Sequence, residues 1–228
     1  MDSRMLACVV AALSTGVSAA SGAFVTVDLS MQVNADIRTY TAGDNYPVGG
    51  SIADFGGVPF QTTLQDANDS SFGVIQLPVT EQPSSFSLAV EIGGAATLFT
   101  LANSAFGQFG ALNGTLEVFG TNGAYASFDL IQGDNLRDHF NGVYNNTASN
   151  PTNFATDFGG GARLDRQRFD LPAVFAGETV NELRFSGTGS SATGAAFLAG
   201  ATFELIPSPG AASVAMLAGM AGLRRRRA

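Results

Sequence analysis

An all-β fold, an antiparallel β-sandwich of jelly-roll type, is what this sequence of 228 residues predicts. Three observations carry the prediction. Apolar and polar residues alternate over short runs, as in half-buried strands. Clusters of Gly, Asn, Asp and Ser separate those runs at short intervals, which is turn chemistry. No stretch keeps a helical period over three turns. The 18 phenylalanines and 28 glycines fit the same picture, one filling the space between two sheets and the other turning the chain. A β-solenoid would need an internal repeat, and the sequence has none.

Met1 to Ala19 reads as a secretory signal peptide. One basic residue, Arg4, precedes the apolar run Met5 to Leu13, and Val17-Ser18-Ala19 forms an A-x-A-like cleavage site. Cys8, the one cysteine, has too little apolar sequence before it for a lipoprotein site, so the mature chain has no thiol for disulfide, metal or nucleophile. Residues 20–205 form the expected sandwich domain. Val25, Val27, Leu29 and Met31 alternate with polar residues as a first strand. Gly73 to Val79 follows, then Ser85 to Ile92, where Phe86, Leu88, Val90 and Ile92 alternate with Ser85, Ser87 and Glu91. Thr97 to Ala102, Thr115 to Phe119, Ala124 to Ile131, Arg168 to Val174, Thr179 to Ser186 and Ala195 to Leu205 complete the strands. Leu101 to Phe106 is a candidate single helical turn. Thr41 to Asn45, Asp66 to Ser71, Gly120 to Gly123 and Ser186 to Thr193 are the turn clusters.

Lysine is absent. Loss of Asp2 with the leader leaves 18 of the 19 acidic residues, and loss of Arg4 and the four tail arginines leaves 6 of the 11 basic ones, a net charge of −12. Such a surface repels nucleic acid and anionic lipid.

Residues 206–228 change character. Pro207 and Pro209 end the domain, Gly210 loosens the chain, and Ala211 to Leu223 is a small apolar run followed by Arg224, Arg225, Arg226 and Arg227. At 1.5 Å per residue that run covers roughly 20 Å, short of the ~30 Å of a hydrocarbon core. The arginines favour the cytoplasmic side. This pattern resembles the bacterial PEP-CTERM sorting signal, with Ser208 where the commonest form has glutamate. The resemblance implies a signal peptidase at one end and an exosortase-like processing enzyme at the other. It also implies transient anchorage in the inner membrane of a Gram-negative-type bacterium, then release to the cell surface or beyond.

The middle of the chain carries its most distinctive residues: Asn103 to Gly107, Leu116 to Ala124, Gly133 to His139 and Arg163 to Pro172. Their order resembles the galactose-binding-like β-sandwiches of extracellular proteins, which implies a carbohydrate-binding type of fold without fixing a function. Asp134, Arg137, Asp138, His139, Arg163 and Asp165 are the candidate ligand-contacting residues, because Arg and Asp bind hydroxyls and carboxylates and sandwich loops host sites. His139 beside carboxylates also admits a general base, but no nucleophile, second histidine or spaced carboxylate pair accompanies it. Arg137 and Asp138 pairing with Asp165 or Arg163 as loop fasteners is the structural reading of the same residues. Asp66, Asn68 and Asp69 offer hard oxygen ligands for a structural calcium ion, without an EF-hand spacing. The phenylalanines read as core. With no tryptophan and four tyrosines, ring platforms for sugars are scarce. The expected function is a non-enzymatic exported envelope or matrix protein. The alternative is a carbohydrate-binding module for extracellular polysaccharide, and a hydrolase ranks last.

Overall fold

The computed structural model describes residues 22–78, 84–142, 147–150, 152–188 and 194–207. The expected signal peptide and, apart from Ile206 and the exposed Pro207, the expected sorting tail with Pro209, Gly210 and Arg224 to Arg227 lie outside the described residues. No α-helix occurs among the described residues, and none of their helices is long and apolar enough to cross a membrane.

Among the described residues thirteen strands pair antiparallel throughout. In chain order they are β1 (Phe24–Val27), β2 (Ala35–Asp36), β3 (Ile52–Asp54), β4 (Pro59–Gln61), β5 (Gly73–Gln76), β6 (Ser84–Gly93) and β7 (Ala95–Ala105). There follow β8 (Leu112–Gly120), β9 (Tyr125–Ile131), β10 (Phe154–Gly159), β11 (Ala162–Asp170), β12 (Thr179–Gly187) and β13 (Ala195–Leu205). A seven-stranded sheet has the order β10-β11-β7-β13-β5-β2, with β1 sharing the edge of β13. A four-stranded sheet has the order β6-β12-β8-β9, and β3 and β4 make a small ribbon.

The two larger sheets face each other across one core. Leu98, Ala102, Leu198 and Phe203 from the first pack with Leu88, Leu116, Val118, Leu183 and Phe185 from the second. The seven-stranded sheet also buries its other face. Phe99, Leu101, Leu164, Phe197 and Ala199 pack under Ile37, Tyr46, Phe55, Phe60 and Phe72, so the segment 37–72 is a third layer. Each fully buried Phe or Leu contributes about 1.5–3 kcal/mol of apolar transfer.

β13 shows why its alternation is misleading. Phe197, Ala199, Ala201, Phe203 and Leu205 would share one face of a regular strand, yet Ala195 to Phe203 are buried throughout. The register shifts between Leu198 and Gly200. Across that bulge the inter-sheet face passes from Ala196 and Leu198 to Ala201 and Phe203. Gly200 lets the Phe60 ring pack closely there, because a Cβ would stand 3.0 Å from it and the ring would have to shift.

Other expectations need correction. The first strand stops at Val27, because Asp28 accepts the Ser30 N–H at 2.9 Å and Gln32 and Val33 fold back onto the Leu29 carbonyl. Met31 is left 89% exposed. Leu101 to Phe106 is no helical turn. Leu101 to Ala105 lies in β7, where pairing with β13 along its length, and with β11 at Leu101, overrides local preference. Val174 falls in the 3-10 turn Ala173–Gly177 after Pro172, not in the preceding strand.

Candidate functional site

β7 and β11 pair from Thr97–Asp170 to Leu101–Arg166 and then part. The segment Arg137 to Phe140 fills the opening. Ser104 N–H donates to the Arg137 carbonyl at 2.9 Å and His139 N–H to that of Ser104 at 2.8 Å. On the other side Arg163 N–H donates to the His139 carbonyl at 3.0 Å and Asn141 N–H to that of Gly161 at 2.8 Å. The run is thus inserted as a short strand-like segment held by isolated bridges, Asp138 parallel to Ser104 of β7 and Phe140 antiparallel to Ala162 of β11, with Asp138 and His139 buried and Arg137 and Phe140 half-buried as a result. Gly133 to His139 was expected as a loop at the end of a sandwich; its second half is bridged to the sheet.

Arg137 is fastened by a bidentate pair to Asp165, Nε to Oδ2 at 2.6 Å and Nη2 to Oδ1 at 2.7 Å. The Asp165 side chain is 2% exposed. Asn103 completes it, donating to Oδ2 at 2.8 Å and accepting the Asp165 N–H at 2.9 Å. The ion pair holds the Arg137 guanidinium well above its ordinary pKa. Arg163 donates from Nε and Nη2 to the Asp138 carbonyl at 3.0 and 2.8 Å.

His139 lies 2.9 Å through Nδ1 from the Tyr46 hydroxyl, which is 3.0 Å from the Arg163 carbonyl. With the proton on Nδ1, the ring donates to the hydroxyl and the hydroxyl to the carbonyl, leaving Nε2 as an acceptor. Tyr40 and Phe197 meet the imidazole edge to face, at 5.5 and 5.9 Å between ring centres. Burial first, and the Arg163 charge second, push its pKa down to about 4. The imidazole is neutral at physiological pH. Burial likewise holds the Tyr40 and Tyr46 phenols protonated.

Asp138 spends both carboxylate oxygens on the backbone. Oδ1 accepts the Phe140 N–H at 2.7 Å and Oδ2 accepts the Phe106 N–H. Burial raises its pKa against the pull of those two bonds and of Arg163. Phe106 has φ +53, a left-handed conformation that costs a bulky residue on the order of 1–3 kcal/mol. Its side chain is 39% exposed.

These groups border an open pocket of about 410 Å³. Tyr40, Phe106 and Phe140 line it with Gln76, Thr39 and Thr41, and Asp138 and His139 contribute to its wall. The Tyr40 hydroxyl donates to Gln76 Oε1. No arginine lines it. A larger depression of about 510 Å³ around Asp28, Ser51, Ile52 and Thr62 gathers none of the candidate residues, and Asp28 is its one ionisable lining residue.

Of the expected residues, Arg137, Asp138, His139, Arg163 and Asp165 form one network, as fasteners of the inserted strand. Asp134 stands outside it in the turn after β9, where it accepts from the Ser149 hydroxyl at 3.2 Å. Asp66 Oδ1 accepts the Asn68 N–H at 2.9 Å, and Asp69 Oδ1 accepts the Ser71 N–H at 2.9 Å. Those carboxylates serve the turn, and no group of three His, Cys, Asp or Glu side chains suited to a metal occurs among the described residues. Tyr40, Tyr46 and Gln76 carried no sequence signal. They come from the third layer and β5, brought over the inserted strand only by folding.

No family model matches the chain, and no curated protein matches it. Among solved structures it is similar to the crystal structure of Caldicellulosiruptor saccharolyticus CBM27-1 in complex with mannohexaose. Identity is 11%, the match covers 81% of this chain and 98% of that one, and the TM-score is 0.40. At that TM-score the likeness carries no ligand across.

Proposed function

We propose that this chain is an exported, non-catalytic binding module, a galactose-binding-like sandwich whose ligand is a neutral extracellular polysaccharide held in the Tyr40–Phe106 pocket. The observation that carries the reading is the lining of that pocket. Aromatic residues stand beside amide and hydroxyl groups with no cationic side chain among them. Rings suit the C–H faces of sugars, and neutral polar groups suit their hydroxyls. A polyanionic ligand would meet neither a basic side chain there nor a favourable field from this acidic chain. Glycoside hydrolysis would call for two carboxyl groups across the bond, and Asp138 is the one carboxylate in the lining. Its oxygens are engaged by backbone N–H groups, and His139 is engaged by Tyr46.

Export and sorting are part of the proposal and rest on the sequence of the two ends. Signal peptidase removes the leader, an exosortase-like enzyme processes the tail, and the domain acts at the cell surface or in the matrix. A purely structural envelope role is the second reading. It is favoured by the use of Arg137, Asp138 and Asp165 as fasteners rather than as exposed contacts. Titration calorimetry of residues 20–206 against soluble β-glucans, mannans and galactans separates the two readings. Saturable binding, weakened tenfold or more by Tyr40→Ala, is expected. Absence of heat with every neutral glycan would leave the structural role.

A further inference from the structure

Phe106 combines a strained backbone with a place in the wall of a pocket. Among the described residues only it and Ala42 combine a side chain with positive φ. A strained backbone persists where its surroundings over-determine it, and such residues cluster at ligand sites. Two neighbours fix this one. Asp138, 2% exposed, accepts the Phe106 N–H through Oδ2 while Oδ1 accepts that of Phe140. Gly194 closes against the other side of the peptide. A Cβ there would stand 2.4 Å from the Phe106 carbonyl oxygen, and its φ of +80 is itself a glycine conformation. A residue whose only task was to end β7 could be glycine, at no strain. Instead the position carries a large ring, 39% exposed at the rim of the pocket.

We infer that Phe106 is the stacking residue for the saccharide, and that Asp138 is a positioning residue whose carboxylate fixes the left-handed turn presenting the ring. The inference rests on the pocket being the glycan site. Asp138 touches no ligand in this arrangement; it acts through the backbone of the residues on either side of the inserted strand. Preorganising one ring on a rigid rim reduces the ordering cost of binding, which matters in a chain with no tryptophan.

Two substitutions, Phe106→Gly and Asp138→Asn, test it in residues 20–206. The readouts are calorimetric titration with cellohexaose, mannohexaose and laminarihexaose, urea unfolding, and the assigned ¹H–¹⁵N spectrum. Phe106→Gly is expected to keep or raise the urea midpoint, since the strain is released, while affinity falls at least tenfold. A purely structural residue would show the reverse, a lower midpoint with unchanged affinity, and that result overturns the stacking role. Asp138→Asn, which loses one acceptor, is expected to move the Phe106 amide proton upfield and to weaken binding at constant enthalpy per site. An unmoved Phe106 amide overturns the positioning role. If Asp138→Asn fails to fold, Phe106→Gly decides alone. If the parent chain binds none of the three hexasaccharides, the glycan reading and the stacking role fall together. The amide shift still judges the positioning role by itself.

Discussion

His139 has a pKa of about 4 in the folded chain against 6.5 when unperturbed, because burial and then Arg163 disfavour the imidazolium. The unfolded chain therefore takes up a proton near pH 6.5 and the folded chain near 4. Stability from the neutral ring is complete above the unfolded value and is lost as pH falls through that window. The loss across the whole window is about 3 kcal/mol. Urea midpoints should fall between neutral pH and about pH 4.5, and His139→Gln should flatten that part of the profile. A parent profile no steeper than the variant's would show that the ring is not held neutral. At this scale the sequence was informative about composition and silent about environment. A histidine between Asp138 and Phe140 looks like a tunable acid–base group, and only burial under Tyr40, Tyr46 and Phe197 makes it a neutral hydrogen-bonding one.

The element that decides the site is the inserted strand Arg137 to Phe140. Its energetic anchor is the Arg137–Asp165 pair with Asn103. Asp165→Ala leaves a guanidinium and an amide without their acceptor in a nearly dry gap. It should cost about 3 kcal/mol, as breaking a buried pair does. The double replacement Arg137→Leu with Asp165→Leu should cost clearly less, since no charge is then stranded. Equal urea midpoints for the two would contradict an internal ion pair. The pairing of Arg137 with Asp165 was among the expected loop fasteners; the insertion of the segment between β7 and β11 was not. Side-chain pairing can be guessed from charge, whereas an extra strand in a gap depends on where two distant strands separate. β10 (Phe154–Gly159) escaped notice for a related reason. Its residues alternate only weakly, with no fully buried position, so period gives no signal at an edge strand.

At the scale of the molecule, β13 sits at the centre of the seven-stranded sheet, pairing with β7 on one side and with β5 and β1 on the other. Ile206 N–H still donates to the Gly94 carbonyl at 2.9 Å, while Ile206 and Pro207 are exposed. A chain of residues 20–206 should fold with an undiminished melting temperature, and one ending at residue 194 should not fold. Circular dichroism melts of both check this, and failure of the longer chain would place the domain boundary beyond the proline motif.

Strand period, turn chemistry and the wealth of phenylalanine determined the class of fold, most strand positions and most phenylalanines of the core. These are local patterns, and a half-buried strand writes its period into adjacent residues. Only the tertiary structure decided the second core above the large sheet, the face switch at Gly200 and the insertion of Arg137 to Phe140 between β7 and β11. It also decided the pocket that Tyr40, Gln76 and Phe106 share. Each of these depends on residues far apart in sequence meeting across a layer, where burial and a partner's atoms, absent from any local pattern, set both conformation and charge.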